Sequence, residues 1–549
     1  MADQPLTPVE RYQAQRFSIV CAGLVLIIFL IATLVYWRYV AETPVDYASD
    51  AEHFKYGSIG SDSDGGIPYW IWRVLPQLCT DHLPDPAAFK ALPVEQQTGL
   101  AGYRQLGFLV EEGKDRPIGF SKRQVLLDLV GLNCAVCHTS TVRVSEGMDP
   151  GKIYPGTYPT YLDGSKERAL VLGMPANTMN LQAYFGFLFN CAADPHFTVD
   201  NVMSYIAANT KLGLVERIFY RQAIPVLRER LLLRRGQLGF FTQMPPFGSG
   251  RVDTFNPYKA MVFGFPYDGT IGTADFPSIW NQRPRVGMHL HWDGDNQSVF
   301  ERNISASLGA GATPASLDMP RMLRVAYWIG SPDPRAQPSP EEQAQAIKAA
   351  RSQPVPQPGE LPVPKFPFLI DAELANAGKA VYQRECAACH DWQGEYIGKV
   401  VPIAEIGTDS YRLDSFTQEL INNQNTLGAG KWWRFHNFRK THGYTNMPLD
   451  GIWARAPYLH NGSVPTLWDL LTRPQDRPKQ FHRGDDLYDL VNVGFRSDRK
   501  ASDDGRMLFE FKVEQNGETV KGNGNGGHTY GTELPEADKK ALLEYLKTL

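Results

Sequence analysis

Apolar and polar positions divide this chain into segments of different character. Residues 17–37 are almost wholly apolar and uncharged, and about twenty such residues span a bilayer as a helix. Arg11 and Arg16 precede the segment, and Tyr36, Trp37 and Tyr39 stand at its far end, where interfacial aromatics gather. A cleaved signal peptide would have a shorter apolar core and a small-x-small site after it. Arg38, Tyr39 and Val40 follow instead. The segment therefore reads as an uncleaved transmembrane anchor behind a cytoplasmic tail, residues 1–16. After the polar stretch 41–53, the aromatic run 66–72 is expected to serve core packing or membrane contact, the sharper alternative being an aromatic wall beside a cofactor.

Helical spacing continues beyond it. Ser121 is a good N-cap, and residues 122–132 carry Val125, Leu126, Leu129 and Leu132 on one helical face. Amphipathic patterns run through 202–233, and their basic cluster from Arg217 to Arg235 reads as a solvated helix face. The proline-rich stretch 332–367, broken by a Glu/Gln/Ala helix around 341–350, reads as a semi-rigid linker. Asp371 caps a helix that runs to Glu385, and Pro535 opens a last helix.

Two short strings carry the chemistry. Cys134-Ala135-Val136-Cys137-His138 and Cys386-Ala387-Ala388-Cys389-His390 both read C-x-x-C-H, the attachment signature of a c-type haem. Two thiols add to the haem vinyl groups, and the adjacent histidine ligates the iron. A zinc site would call for four ligands in a different spacing. Each motif thus predicts a covalent haem c, with Cys134, Cys137 and His138 holding one and Cys386, Cys389 and His390 the other.

The helix before the second motif has Gly378 and Tyr382 at the spacing at which a cytochrome c fold crosses its last helix, here at Leu542 and Tyr545. The first motif has Leu126 and Val130 in the corresponding places. The expected fold is mainly α: two cytochrome c-like haem domains, the first enlarged by insertions, behind a single N-terminal transmembrane helix. The N-terminal haem domain is set at 38–331, the linker at 332–367 and the C-terminal cytochrome c domain at 368–549.

What lies opposite each proximal histidine decides between electron transfer and reactivity. Candidates at the second haem are His528, in a glycine-rich loop that bends without steric cost, then Met447 and His460, with His482 also in range. After the first motif come Met148, Met174 and only then His196, which leaves that iron open on its far side. Residues 281–296 collect Arg283 and Arg285 for propionates, Met288, His289 and His291 for iron, and Trp292 for an electron path.

Composition adds little to this picture. The chain has 549 residues, a net charge of −4 and seven cysteines. No basic stripe marks a nucleic-acid partner. Four cysteines belong to the haem motifs and Cys21 to the anchor, which leaves Cys79 and Cys191 as a candidate disulfide, with two separate buried thiols the alternative. Covalent haem is attached outside the bacterial cytoplasm, so the expected location is the inner membrane, single-pass, with the bulk of the chain in the periplasm.

The motifs, with Ala456-Pro457-Tyr458-Leu459-His460-Asn461-Gly462-Ser463-Val464-Pro465-Thr466-Leu467, resemble the bacterial di-haem cytochrome c peroxidase superfamily over most of residues 50–549. The superfamily includes peroxide reductases, the methylamine-utilisation di-haem enzyme and the rubber oxygenases. The resemblance implies a reactive haem at His138, an electron haem at His390 and a bridging tryptophan, for which Trp292 is the candidate. Peroxide reductases carry a methionine ligand where this chain has Pro474 and a histidine soon after the first motif, absent here. Both departures look more like the rubber-oxygenase branch, whose second haem is bis-histidine and whose reactive haem holds dioxygen in an apolar pocket that Leu308 would line.

The leading expectation is a membrane-anchored di-haem oxidoreductase that activates dioxygen or peroxide and oxygenates a small apolar unsaturated substrate. One alternative is a hydrogen-peroxide reductase, fed by a small cytochrome or cupredoxin, with Glu301 as distal acid–base group. The other is a non-enzymatic di-haem electron-transfer cytochrome. Peroxidase relatives also carry calcium between the haems, though no loop pattern here demands it.

Overall fold

The computed structural model describes residues 7–37, 45–143, 168–336 and 338–549. Tyr39, Met148 and the first residues of the tail lie outside that set. The fold is mainly helical, with short strands in hairpins and one three-stranded sheet.

The apolar segment forms a helix, Pro8–Val35. Its stretch Arg11–Val35 is long and apolar enough to cross a membrane and buries nothing against the rest of the chain.

The aromatic run belongs to the helix Tyr69–Leu78, and its role is core packing. Trp72 is fully buried and stacks on Tyr103 at 4.4 Å. Its indole N–H donates to the Tyr184 hydroxyl, 3.2 Å away. Helices Leu181–Ala193, Val199–Asn209 and Leu214–Gln237 share this core. A Cys79–Cys191 disulfide ties the first helix's end to the second's, with a Cα–Cα distance of 5.4 Å.

The helix expected over 122–132 is a hairpin instead. Strands Phe120–Arg123 and Leu129–Leu132 pair antiparallel, with Phe120 opposite Leu132 and Arg123 opposite Leu129. Tertiary partners override the helical spacing. Arg123 reaches Asp62 at 2.9 Å. Gly131 lies so close to the Ser61–Asp62 backbone that an added Cβ would stand 2.4 Å from the Asp62 nitrogen.

A second core gathers Phe54, Trp280, Trp328, Tyr382, Trp453 and Leu542, residues from both sides of the proline-rich stretch. That stretch is strapped down. Leu361 and Phe366 are buried in this core, the Leu361 N–H donates to the Trp328 carbonyl, and the Trp453 indole N–H donates to the Pro364 carbonyl. Its helix is Pro340–Ser352. In the C-terminal part, helix Ala372–Glu385 crosses Glu536–Leu546. A Cβ at Gly378 would lie 1.8 Å from the Ala541 carbonyl oxygen, and Tyr382 meets Tyr545 at 5.0 Å.

Candidate haem sites

The first motif sits in a turn between hairpins. Asn133 caps the 3-10 turn Cys134–Val136, accepting from the Ala135 N–H at 3.0 Å, and its amide donates to the Gly57 carbonyl at 2.9 Å. Strand Thr139–Arg143 follows, paired with Arg168–Leu172. Cys134 and Cys137 are free thiols. The Nδ1 of His138 meets the Pro277 carbonyl oxygen at 2.9 Å, which fixes the ring and leaves Nε2 as the metal-binding nitrogen. Burial first, then the positive charge of Arg302, pushes His138 down to about 3 against that hydrogen bond. The imidazole is therefore neutral, as a metal ligand must be.

The second motif ends the helix Ala372–Glu385. Cys386 donates its N–H to the Tyr382 carbonyl, and Ala387–His390 is one more helical turn. The His390 Nδ1 meets the Met447 carbonyl oxygen at 2.7 Å. Burial likewise pushes His390 down. The chemistry of the proximal side is thus the same in both motifs.

The far sides differ. The His528 ring stands 6.3 Å from the His390 ring, centroid to centroid. That separation would admit an iron held by both imidazoles. His528 has φ +43°, and Gly527 before it has φ +69°. A Cβ at Gly527 would lie 2.3 Å from the Gly407 carbonyl carbon, so only glycine fits there. Arg477 holds the loop by donating to the carbonyls of Asn525, Gly527 and His528. The His528 Nδ1 is buried without a hydrogen-bond partner among the described residues, and burial pushes the ring down to about 3. At His138 the neighbouring ring is Phe276 at 6.3 Å, next in sequence to the Pro277 that holds Nδ1. Among the described residues no second histidine ring faces it.

Between the motifs lies a cavity of about 50 Å³, lined by Phe276, Pro277, Arg285, His291, Trp292, Arg302, Met447 and Arg455. It touches Pro277, which backs His138, and Met447, which backs His390. Trp292 lies on its wall and donates its indole N–H to the Asp275 carbonyl at 2.9 Å. Arg285 pairs with Asp450 at 2.7 Å and lies over the Trp392 ring at 5.2 Å. Arg302 and Arg455 are pushed down by burial to about 10 and stay protonated at neutral pH.

These residues fit two haems c. Each motif offers two thiols and a neutral histidine, His528 has an unsatisfied ring nitrogen, and between the motifs Arg285 and Arg455 share the single carboxylate of Asp450 beside a buried Arg302. Among the described residues no group of three or more His, Cys, Asp or Glu suited to a metal ion exists.

Several expected residues are placed elsewhere. Glu301 is buried and accepts from Asn296, from the His436 and Asn437 backbone N–H groups and from the Asn437 amide, so its carboxylate is a structural tie rather than a distal acid. Leu308 belongs to a separate core with Ile304 and Phe416 and lines no part of the cavity. Arg283 turns away to an ion pair with Glu360. His460 stacks on Tyr444 at 4.0 Å, with its Nε2 3.0 Å from the Tyr444 hydroxyl, so it is spoken for. Met447 serves through its carbonyl, on the proximal side of His390. His482 sits opposite Glu510 in a strand pair, and Met174 is core. Arg302, Arg455 and Arg477 were not singled out by sequence, because a lone arginine in a helix or loop carries no spacing signal.

Residues 443–482 match the family described as RoxA-like, cytochrome c-like. The match contains Met447 and His460 and supports the rubber-oxygenase-like branch of the expected resemblance. It marks a cytochrome c-like domain in the C-terminal part, which implies haem c and a haem-cytochrome oxidoreductase. The chain is 29% identical over 316 residues, 50% of its length, to the uncharacterised protein y4iM of Sinorhizobium fredii. It is also 29% identical over 245 residues, 33% of its length, to the uncharacterised protein y4iJ of the same organism. The matches span 64% and 39% of those relatives, so the chain covers less than two thirds of either.

Proposed function

We propose that this chain is a membrane-anchored di-haem c oxidoreductase with its body in the periplasm. The haem held at Cys134, Cys137 and His138 is the reactive centre, and the haem at Cys386, Cys389 and His390 is its electron partner. The reaction is oxygenation of a small apolar unsaturated substrate. The observation that carries this reading is an asymmetry: the His528 ring stands 6.3 Å from the His390 ring, while among the described residues no second histidine ring stands beside His138. A haem c with a free axial position supplies activation of dioxygen or peroxide.

The protein's own contribution follows from its contacts. Pro277 and Met447 orient the two proximal imidazoles through their carbonyls. Arg302, with Arg285 and Arg455 in their shared pairing to Asp450, would hold haem carboxylates at the cavity. Trp292 stands between the two proximal backbones as the electron path. The fixed Glu301 favours the oxygenase over the peroxide reductase, which needs a movable proton near the first iron. A small cytochrome or cupredoxin is the proposed redox partner.

Electron paramagnetic resonance of the resting protein tests this. One low-spin signal from the His390–His528 pair and one high-spin or ligand-bound signal are expected. Two low-spin signals from the oxidised protein, with no high-spin signal on partial reduction, would leave only an electron carrier. Peroxide turnover with a reduced cytochrome, without oxygen uptake, would select the reductase.

A further inference from the structure

The three histidines assigned to iron are not held alike. His138 and His390 each rest Nδ1 on a backbone carbonyl. A metal-bound histidine almost always ties its second ring nitrogen in this way, which fixes the direction of the first. The Nδ1 of His528 is buried and has no such partner among the described residues. Its ring has only ring neighbours, Tyr530 edge-on at 5.4 Å and His390 at 6.3 Å. No hydrogen bond to the imidazole sets where its other nitrogen points.

The backbone sets it instead. The His528 N–H donates to the Ile406 carbonyl at 2.8 Å. Gly527 is pressed on Gly407, and the Asn525 amide donates to the Pro478 carbonyl at 3.0 Å. The other ties come from one side chain, for Arg477 directs every N–H of its guanidinium at a carbonyl. Nε donates to Thr472 at 3.1 Å and Nη2 to Leu470 at 3.2 Å, at and just after the end of the helix Leu467–Leu470. Nη1 donates to Asn525 at 2.5 Å and to Gly527 at 2.9 Å, and Nη2 also donates to His528 at 3.1 Å. Arg477 is only 2% exposed. The acid that acts on it, Asp469, accepts from Thr466 instead. A buried cation without a carboxylate partner is costly. What it supplies is a rigid planar fork that reaches two backbone segments at once, which a shorter neutral side chain cannot do.

We propose that Arg477 is the positioning residue of the second iron's sixth ligand: it holds the His528 imidazole toward His390 through the loop backbone, in place of the ring hydrogen bond that His528 lacks. This rests on the reading of His528 as that ligand. The two axial histidines of one haem are then fixed by different means, His390 by its own ring and His528 by its loop.

The test compares the full haem-loaded chain as wild type, Arg477→Lys, Arg477→Gln and His528→Ala. Lysine keeps the charge and loses the fork; glutamine loses both. Electron paramagnetic resonance follows the low-spin signal of the second haem. A titration with free imidazole reads how readily an outside ligand takes its sixth position. In both Arg477 variants a share of the second haem should turn high-spin, and imidazole should bind there at least about tenfold tighter than in wild type. The signal of the first haem should not move. A fully low-spin second haem with wild-type imidazole affinity in both variants overturns the proposal, even where the unfolding midpoint falls, because Arg477 would then only support the fold. An effect of glutamine alone overturns it in favour of the charge. Failure of both variants to take up haem, while His528→Ala does so, assigns Arg477 to folding and overturns it as well. A low-spin second haem in His528→Ala removes the reading of His528 and the proposal with it.

Discussion

The two C-x-x-C-H motifs are alike in the two cysteines and the histidine that define them and differ in almost everything around them. Both histidines rest their Nδ1 on a backbone carbonyl, Pro277 for one and Met447 for the other. The first motif is a turn between strand pairs, capped by Asn133. The second continues a helix that is clamped by the chain's last helix at Gly378. Across from His390 the glycine-rich loop delivers His528, and across from His138 no histidine ring arrives among the described residues. The motif thus specifies attachment and the near-side ligand. The histidine that stands across from His390 comes from a segment more than a hundred residues away in the chain, so the same signature has two different surroundings.

The largest expected effect comes from removing the frame of the second motif. Gly378→Val would drive a side chain into the Ala541 carbonyl, whose oxygen is only 1.8 Å from the new Cβ. The expected cost exceeds about 3 kcal/mol. Thermal unfolding of the full chain would show it as a large drop in midpoint, with the low-spin haem signal lost first. Gly186→Ala, a helical glycine with open space at its Cβ, is the matched control and should be neutral or stabilising by up to about 1 kcal/mol. Equal behaviour of the two variants would deny the helix crossing its role.

A milder change should make the second site resemble the first. His528→Ala removes the facing imidazole and leaves Arg477 holding the loop's backbone carbonyls. The bis-histidine low-spin signal should vanish and a second high-spin signal replace it. Folding stability should change by no more than about 1 kcal/mol, while turnover falls on the order of tenfold as the electron partner is compromised. A surviving low-spin signal would mean that another residue takes the sixth position.

Which features were legible in advance follows from their physical origin. The apolar N-terminal helix, the orientation of the two motif histidines and the Gly378 crossing rest on local composition or fixed spacing, and these survive folding. His528 was legible for a related reason, since a run of glycines permits the left-handed backbone that its φ of +43° requires. The hairpin at 120–132 was hidden, because its helical spacing is overruled by Arg123 reaching Asp62 and by Gly131 pressed on Ser61–Asp62. Glu301 and His460 looked like site residues by type. Their partners, the 436–437 backbone and Tyr444, are contributed by distant parts of the chain that no spacing rule connects to them.

The smallest expected effect is the most discriminating, because each motif has its own arginine. Arg302 lowers the proton affinity of His138 by its positive charge, and Arg455 does the same at His390. A nearby positive charge also favours the reduced form of the iron, since reduction adds an electron. Removing it should lower the potential. Arg302→Gln should therefore lower the potential of the first haem, and Arg455→Gln that of the second, each by on the order of 50 mV. The unaffected haem should move much less, since the effect falls with distance. A spectroelectrochemical titration resolves the two waves. If both variants shifted the same wave, or shifted it upward, the pairing of one arginine with each motif would be wrong, and the cavity would be better understood as one shared electrostatic field.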